Sequence, residues 1–371
     1  MKILAIDTSC DETSVAVTGG LNILSNVIWS QASLHAKFGG VYPSLAKRAH
    51  EERIGWVINK AMTNAKCQMK NINAIAVTIG PGLAIALEVG IKKAKELSAK
   101  YNIPLITVNH LEGHLLSPFA QPKNSKKQNI QNSKKIINST LSKVTFPSFG
   151  LVVSGGNTQL ILVKEIGKYK ILAETQDDAL GEALDKGARM LGLGYPGGAI
   201  LEHMAEKGGA KVYQLPIPMS GKEKEHYFSY SGLKTAMYRL IQEQTAKNPI
   251  RKPSASNGAG ELTKQQIYDL AASYQNVAFE HITRVTSSII SHYPSTISYL
   301  LVGGGVAANS ELRKRIRKMC RKFNIIPLFP YSKKLCTDNA AMIGVAAYFK
   351  TQRKEFSEVI TKLERIPRYK I

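Results

Sequence analysis

One strand–turn–strand pattern occurs twice in this chain, and it limits the possible folds more than any other feature. Residues 3–17 read ILAIDTSCDETSVAV, and residues 149–163, about 145 positions later, read FGLVVSGGNTQLILV. In each segment an apolar run enters a small, polar turn and a second apolar run leaves it, as in a β-hairpin. A supersecondary unit repeated at this distance predicts two related lobes, whereas the alternative is two unrelated hairpins.

The chemistry of the two turns favours related hairpins. Both turns are rich in hydroxyl side chains, and the second contains Gly155 and Gly156. Small residues let backbone N–H groups come close to a phosphate. The turns of the two hairpins are therefore predicted to bind a phosphate group through their backbone N–H groups.

The segment between the hairpins has β-α-β order. Residues 72–82 read as a strand and a turn, residues 83–101 as a helix, and residues 104–110 as a second strand. This order predicts an α/β fold in which a mixed or parallel sheet carries helices on its faces. With 371 residues and 44% hydrophobic content, the chain is long enough for two lobes.

Two further helices are predicted near the C-terminus. Residues 296–323 read as a strand, a glycine turn and a helix that begins near Asn309. Residues 337–352 read as a helix with Thr337 as its N-cap. Two polar segments, residues 121–145 with six lysines and no acid and residues 246–261, are interpreted as loops.

The charge of the chain indicates a polyanionic partner. Lys and Arg number 50 against 27 Asp and Glu, which gives a net charge of +23. An excess of this size is typical of a protein that binds nucleic acid. The alternative is a solvated, lysine-rich surface without such a partner.

The cysteines and the apolar runs predict a cytoplasmic protein. The four cysteines show no C-x-x-C spacing, which fits a reduced compartment rather than a zinc knuckle or a redox pair. The apolar run at the N-terminus is too short for a secretory signal. The longest apolar stretch is broken by Gly80-Pro81-Gly82, so we expect no membrane span.

His110 and His114, in the segment NHLEGHLLSP, are four residues apart. On a helix both rings share a face and can reach one metal ion, although two ordinary histidines are the alternative. Glu112 points away from that face, unlike the glutamate of the zinc-protease motif H-E-x-x-H. Asp338 is the best distant candidate for a third ligand, but acids also favour helix N-termini through the dipole alone.

Residues 177–198, DDALGEALDKGARMLGLGYPGG, carry an acidic stripe. Asp178, Glu182 and Asp185 are spaced to share one helix face. A carboxylate there can accept hydrogen bonds from ribose hydroxyls. The alternative is that Lys186 and Arg189 only neutralise these acids, and that the acids bind no ligand.

Gly303-Gly304-Gly305 before a helix resembles a nucleotide-binding turn. It matches neither the Rossmann fingerprint nor the P-loop. Asn309 at the start of that helix either contacts a base or sugar or acts only as an N-cap.

Taken in order, the motifs resemble those of the TsaD family, the tRNA threonylcarbamoyladenosine transferases once described as O-sialoglycoprotein endopeptidases. The matching segments are DTSCDET, HLEGH, VSGGNTQ, GEALDKGARMLGLGYPGG, FSYSGLKTA, GGGVAANSELR and CTDNAAMIG. The resemblance runs from about Met1 to Gly344 and is interrupted by the insertion at 121–145.

The resemblance implies a two-lobed, actin-like ATPase fold of the sugar kinase, Hsp70 and actin type. Its lobes are duplicated RNase H-like units with a nucleotide cleft between them. On this basis we expect lobe I at 1–120, completed by a C-terminal helix at 339–371, and lobe II at 146–338. Residues 121–145 form the Lys-rich insertion.

The resemblance also implies an activity. A threonylcarbamoyl group passes from threonylcarbamoyl-AMP to the exocyclic amine of the adenosine 3′ to the anticodon, in tRNAs that read ANN codons, and AMP leaves. A bacterial member works with a TsaB-like paralogue and a TsaE-like ATPase, and a TsaC-type synthase makes the adenylate.

The family's site residues transfer to this sequence by motif. The metal ligands fall on His110, His114 and Asp338, usually with one Fe²⁺ or Zn²⁺. In the family the cleft binds ATP or the adenylate, either with or without Mg²⁺. The adenylate contacts fall on Val152, Val153, Ser154, Gly155, Gly156, Asp185, Gly198, Glu202 and Asn309. The acids of the first hairpin fall on Asp11 and Glu12.

The second hairpin departs from the pattern of relatives at three positions. Asn157 stands where many bacterial members have His, and Val152 and Val153 stand where archaeal and eukaryotic members have a tyrosine ligand. Substrate or water is therefore expected at the fourth metal position.

Three other functions are weighed against transfer. As a metalloprotease the chain would lack its general base, because Glu112 does not stand at the position of the glutamate in H-E-x-x-H. A sugar kinase of the same fold gives no reason for the histidine pair. A scaffolding paralogue should be shorter and lack His110 and His114.

Overall fold

A computed structural model of the protein describes residues 1–123, 144–222, 225–247, 262–357 and 362–371. Most of the predicted insertion at 121–145 and of the loop at 246–261 lies outside the described residues. The strands are β1 Lys2–Asp7, β2 Glu12–Gly19, β3 Asn22–Ser30, β4 Ala74–Gly80, β5 Leu105–Asn109, β6 Gln121–Pro122, β7 Ser148–Val153, β8 Thr158–Glu165, β9 Lys168–Glu174, β10 Tyr299–Gly303 and β11 Ile326–Leu328. The α-helices are α1 Ala32–His35, α2 Pro43–Ala65, α3 Ala84–Tyr101, α4 His110–Leu116, α5 Leu180–Met190, α6 Gly197–Ala205, α7 Ser231–Ala246, α8 Lys264–Ile290, α9 Ser310–Lys322 and α10 Ala340–Gln352.

Two mixed sheets form the framework, and each contains one of the predicted hairpins. In the described chain the first sheet has the order β5-β4-β1-β2-β3-β6 and the second has the order β11-β10-β7-β8-β9. The pairs β1–β2 and β7–β8 are antiparallel, whereas β1–β4, β4–β5, β7–β10 and β10–β11 are parallel. The repeated strand–turn–strand pattern and the β-α-β order are therefore both confirmed.

Strand β1 shows why these runs are continuously apolar. Ile3 and Ala5 face a core cluster that also contains residues of the second sheet, and Leu4 and Ile6 face the cluster under α2 and α3. A strand buried on both faces reads as an unbroken hydrophobic run rather than as an alternating one. The hairpin strands thus lie in the middle of the molecule, between helical layers.

Helices α4 and α10 occupy the space between the two sheets. Leu111 and Leu115 of α4 and Ile343 of α10 belong to the core cluster that holds Ala16 of the first sheet and Val152 of the second. The approach is close, since a Cβ on Gly113 of α4 would lie 2.9 Å from Ile343. The segment that carries both predicted histidines is therefore clamped at the junction of the lobes.

The remaining helices cover the outer faces. Helices α2 and α3 pack on the first sheet, and helices α5 to α9 pack on the second. No helix among the described residues is both long enough and apolar enough to cross a bilayer.

The C-terminal helix ends where the residue pattern predicts and not where the family resemblance implies. Helix α10 covers Ala340–Gln352, which agrees with the predicted end at 352, whereas the resemblance extends the helix to residue 371. Its N-cap is Asn339 rather than Thr337, because Asn339 Oδ1 accepts a hydrogen bond from the backbone N–H of Met342 at 3.1 Å. The helix predicted near Asn309 is confirmed as α9, with Asn309 as its N-cap.

Substituting Gly303 by alanine tests the clamp on α4. A Cβ at Gly303 would overlap the carbonyl oxygen of His114, and backbone cannot move aside as the end of a side chain can. We expect the Gly303→Ala variant to lose about 1–3 kcal/mol of unfolding free energy, with a lower Tm in a calorimetric scan.

Gly305→Ala is the matched control, because no heavy atom of the described chain lies within 4 Å of a Cβ placed there. Equal melting temperatures for the two variants would contradict the close packing of α4 on β10.

Candidate metal centre and cleft

The first turn of α4 is fixed by Asn109, the last residue of β5. Asn109 Oδ1 accepts hydrogen bonds from the backbone N–H groups of Leu111 at 2.8 Å and Glu112 at 3.3 Å, which makes it the N-cap. Its Nδ2 donates to the carbonyl oxygens of Tyr369 at 3.4 Å and Lys370 at 3.1 Å. The C-terminal segment thus holds the residue that orients the histidine helix.

His110, His114 and Asp338 lie together, as the sequence predicted. The two imidazole rings are edge to face with centroids 4.6 Å apart. His114 Nε2 lies 3.0 Å and His110 Nε2 lies 3.4 Å from Asp338 Oδ1. Both Nε2 atoms therefore converge on one carboxylate, 224 residues from His114 in the chain.

The cluster is strongly coupled by charge. Burial by itself lowers the pKa of His110, but the carboxylates of Asp338 and Asp7 outweigh burial and raise that pKa to about 10. Burial lowers the pKa of His114, and its hydrogen bond to Asp338 opposes the shift. Burial disfavours ionised Asp338, yet the two histidines hold its pKa well below the usual range.

The donor set fits a divalent transition metal. One ligand atom from each of His110, His114 and Asp338 can be chosen so that all lie within 4.8 Å of one another. Imidazole nitrogen with carboxylate oxygen is a common ligand set for zinc and iron. Asp338 keeps 23% of its side chain exposed, whereas His114 has none, so the cluster is open on the carboxylate side.

Further acids surround the cluster on the side of the first hairpin. Burial raises the pKa of Glu12, and the charges of Asp11 and Asp338 raise it further. Burial and the same neighbouring acids raise the pKa of the Cys10 thiol. A group of carboxylates that disfavour each other's ionisation would be stabilised by a bound cation.

The turn of the second hairpin exposes backbone. Val152 and Val153 are fully buried in the core, so their side chains are out of a ligand's reach. Ser154 closes the turn, since its N–H donates to the carbonyl oxygen of Asn157 at 2.8 Å. Gly155 and Gly156 are exposed, and no described atom lies within 4 Å of a Cβ placed on either.

The predicted acidic stripe is only partly a helix face. Asp178 precedes α5, and it pairs with Lys186 and Lys234, each at 2.6 Å. Glu182 pairs with Lys186 at 2.7 Å. The prediction of one shared face was wrong, because the chain turns into α5 only after Asp178 and the lysines neutralise the two acids.

Asp185 is the member of that set with a separate environment. Its Oδ1 accepts a hydrogen bond from the backbone N–H of Gly198 at 2.7 Å. Burial raises the pKa of Asp185, and hydrogen bonds from the N–H groups of Gly198 and Gly197 oppose the shift. Asp185 thus fixes the first turn of α6.

Asn309 and Glu202 use their polar atoms within the protein. Asn309 Oδ1 accepts from the N–H of Leu312 at 3.0 Å, and its Nδ2 donates to Gln275 Oε1 at 2.9 Å. Glu202 Oε1 accepts from the N–H of Ser310 at 2.7 Å. Both residues therefore hold the N-terminus of α9, which is the capping role that the sequence left open for Asn309.

Glu112 has contacts that no sequence pattern indicates. Tyr169 of β9 donates from its hydroxyl to Glu112 Oε1 at 2.8 Å, and Arg353 Nη2 lies 3.7 Å from the same oxygen. Burial raises the pKa of Glu112, and Lys350, Tyr169 and Arg353 oppose the shift. The only sequence signal was an acid two residues from each histidine, on another face of α4.

Tyr169→Phe should destabilise the protein through Glu112. The substitution removes a donor from a carboxylate that is 4% exposed, and an unsatisfied buried acceptor costs about 1–3 kcal/mol. Urea unfolding should give a lower free energy of unfolding by this amount. Tyr238→Phe serves as control, because Tyr238 is 53% exposed; equal effects would remove the support for a buried Glu112–Tyr169 bond.

Comparison with solved structures shows the fold. Full-length HypF in its phosphate- and nucleotide-bound form matches with a TM-score of 0.56 at 12% identity, over 96% of this chain and 56% of that chain. T. kodakarensis HypF matches with a TM-score of 0.54 at 13% identity, over 95% of this chain and 48% of that chain. The chain thus spans about half of these proteins, and its fold is the two-lobed, actin-like one that the motifs predicted.

Comparison of sequences shows the family. Three relatives are named tRNA N6-adenosine threonylcarbamoyltransferase. The Clostridium kluyveri protein is 40% identical over 100% of this chain and 98% of its own length, and that of Thermodesulfovibrio yellowstonii is 41% identical over 97% of each. The Staphylococcus aureus protein is 40% identical over 96% of this chain and 94% of its own length. The TsaD sequence model, described as tRNA N6-adenosine threonylcarbamoyltransferase, matches residues 22–129 and 130–345, and the chain therefore belongs to the TsaD family.

Proposed function

We propose that the protein transfers a threonylcarbamoyl group from threonylcarbamoyl-AMP to the exocyclic amine of the adenosine 3′ to the anticodon, in tRNAs that read ANN codons. The observation that carries this proposal is the convergence of His110, His114 and Asp338 in a chain of the TsaD family. The net charge of +23 supports a tRNA substrate, because lysines and arginines bind phosphates.

The reaction is a direct acyl transfer. The amine nitrogen attacks the carbamoyl carbon, the bond from that carbon to the phosphate oxygen breaks, and AMP leaves while the amine loses a proton. An aromatic exocyclic amine is a weak nucleophile, so the acyl donor must be activated and held in line. The mixed anhydride provides the leaving group, and no covalent enzyme intermediate is required.

His110, His114 and Asp338 would hold one divalent ion, Fe²⁺ or Zn²⁺. When bound, this ion supplies Lewis acidity and a fixed charge that orient and polarise the oxygens of the donor. Asp11 and Glu12 border the cluster, and we propose that they contribute to activity or to coupling with a partner.

The turn at Ser154, Gly155 and Gly156 is proposed to bind the adenylate phosphate through backbone N–H groups. Val152 and Val153 would take part through their backbone only, because their side chains are buried. Asp185 and Gly198 would border the ribose. Glu202 and Asn309 would act indirectly, because they hold the N-terminus of α9, which would lie beside the adenylate.

The proposed partners follow the family. They are a TsaB-like paralogue, a TsaE-like ATPase and a TsaC-type synthase that supplies the adenylate, with ATP and Mg²⁺ as further candidates for the cleft. We propose a cytoplasmic location, where tRNA is modified. The lobe boundaries at 1–120 and 146–338, with the C-terminal helix joining lobe I, are part of the same proposal.

The geometry disfavours the metalloprotease alternative. Glu112 is bonded to Tyr169 and lies beside Arg353, so it is not free to act as a base at the metal. A sugar kinase of the same fold would leave the histidine pair without a use.

His110→Ala should abolish modification, because it removes one of three protein ligands. We expect a loss of at least about 100-fold in the threonylcarbamoyladenosine formed, together with loss of bound metal. The assay is nucleoside mass spectrometry of unmodified tRNA incubated with the protein, its partners and threonylcarbamoyl-AMP. Metal content is measured separately by elemental analysis.

His203→Ala is the control for this experiment, because its side chain is 61% exposed on α6. Wild-type yields from His110→Ala would refute the metal role and leave the transfer intact. No product from the folded, metal-loaded wild type with its partners would refute the transfer itself.

Gly156→Ala tests the phosphate turn. Since a Cβ there contacts no described atom, the variant should fold with an unchanged Tm. The added methyl group would lie where the phosphate approaches the backbone, and the KM for threonylcarbamoyl-AMP should rise by at least about tenfold.

Gly55→Ala is the matched substitution for this test, on the surface of α2 with equally open space within the described chain. An unchanged KM in Gly156→Ala would mean that the phosphate binds elsewhere.

A further inference from the structure

Two exposed aromatic side chains lie on the segment between β3 and α2, which we call the aromatic loop (residues 31–42). Phe38 and Tyr42 are each 50% exposed. Their ring centroids are 5.1 Å apart, and the ring planes differ by 24°. Lys37 Nζ lies 5.1 Å from the centre of the Phe38 ring. Clustered, exposed apolar side chains of this size mark a binding surface more often than isolated ones do.

Buried polar contacts fix the aromatic loop to the first hairpin. The N–H of Gln31 donates to the carbonyl oxygen of Asp11 at 2.9 Å. His35 is fully buried, with Nε2 3.0 Å from Gln31 Oε1, and its Nδ1 accepts from the N–H of Tyr42 at 3.3 Å. The aromatic pair is thereby held beside the turn that carries Glu12, and a rigid surface loses little entropy when it binds a ligand.

The aromatic loop also touches the second lobe. Arg189 of α5 donates from Nη2 to the carbonyl oxygen of Gly39, and a Cβ on Gly40 would lie 3.6 Å from the same nitrogen. Asp185, one turn earlier in α5, holds the start of α6. The aromatic loop therefore borders the cleft from the side of the first lobe.

The chemistry of this surface fits a nucleotide within single-stranded RNA. Flat aromatic faces stack on bases of any sequence, and adjacent cations attract the phosphates. Lys37 and Arg189 provide two such cations. Arg189 already faces Asp185, but a purely apolar protein patch would leave the charge of Lys37 without a counterpart, so RNA is the better match.

We infer that Phe38 and Tyr42 form a stacking platform for a base that neighbours the acceptor adenosine in the tRNA loop. This inference rests on the proposed function. The acceptor base must leave the stack of its loop to bring its amine into the cleft, and the neighbouring base then loses a stacking partner. The aromatic pair replaces that partner, while Lys37 and Arg189 bind the adjoining backbone.

The test uses the full chain and an anticodon stem-loop RNA in which 2-aminopurine replaces the base next to the acceptor adenosine. The fluorescence of 2-aminopurine falls when it stacks on an aromatic ring. In the complex with the wild type we expect the fluorescence to stay as low as in the free, stacked RNA, because the aromatic pair replaces the lost stacking partner. The double variant Phe38→Leu/Tyr42→Leu should lose the quenching and bind the RNA at least about tenfold more weakly.

Tyr101→Leu is the control, because Tyr101 is 42% exposed and Lys100 Nζ lies 5.4 Å from its ring centre. It should quench and bind as the wild type does. With intact tRNA and the partner proteins, the double variant should raise the KM for tRNA by a similar factor and keep kcat within about twofold. Its melting curve is measured to confirm that it folds.

Each outcome separates the platform from the transfer. If the double variant quenches and binds like the wild type while threonylcarbamoyladenosine still forms, the platform is overturned and the transfer stands; the aromatic loop would then be assigned to a protein partner. If quenching requires Phe38 and Tyr42 but no product ever forms, the platform stands and the transfer falls. If the fluorescence rises to the same level in the complexes with the wild type and the double variant, the platform is overturned.

Discussion

The packing of α4 and α10 between the two sheets is the constraint on which the rest of the protein depends. Close approaches make it possible: a Cβ on Gly303 would overlap His114 backbone, one on Gly150 would overlap Leu115, and one on Gly113 would crowd Ile343. Interiors packed at this density transmit displacements rather than absorb them. Because α4 carries His110 and His114 and Asp338 precedes α10, the relative position of the two helices sets the geometry of these three candidate ligands.

Electrostatics explain why this junction suits a cation. Buried imidazoles and carboxylates lose hydration, and only partners of opposite charge compensate for that loss. His110 gains its charge from Asp338 and Asp7, which raise its pKa to about 10, whereas burial lowers the pKa of His114. A divalent ion would replace the proton that His110 holds and would neutralise the same carboxylates, so metal and proton compete for one place.

Helix α4 is held from outside the cluster as well. Asn109 caps it and binds the carbonyl oxygens of Tyr369 and Lys370, and Glu112 is tied to Tyr169 of the second sheet. These contacts come from parts of the chain far from α4 in sequence, and they link α4 to the C-terminal segment and to the second sheet. A histidine pair on a short helix becomes a defined site because its ends and its opposite face are fixed.

The sequence by itself determined the two hairpins, the β-α-β order and the three members of the His110–His114–Asp338 cluster, because alternation, periodicity and family motifs are local signals. Only the tertiary structure decided that Asp178 precedes α5, that Asn339 rather than Thr337 caps α10, and that Asn309 and Glu202 hold the N-terminus of α9. The contacts of Glu112 and the contact of the aromatic loop with Arg189 of α5 also needed the fold. Such features depend on pairs of residues far apart in the chain, and no local pattern specifies which distant group fills a hydrogen bond or neutralises a charge.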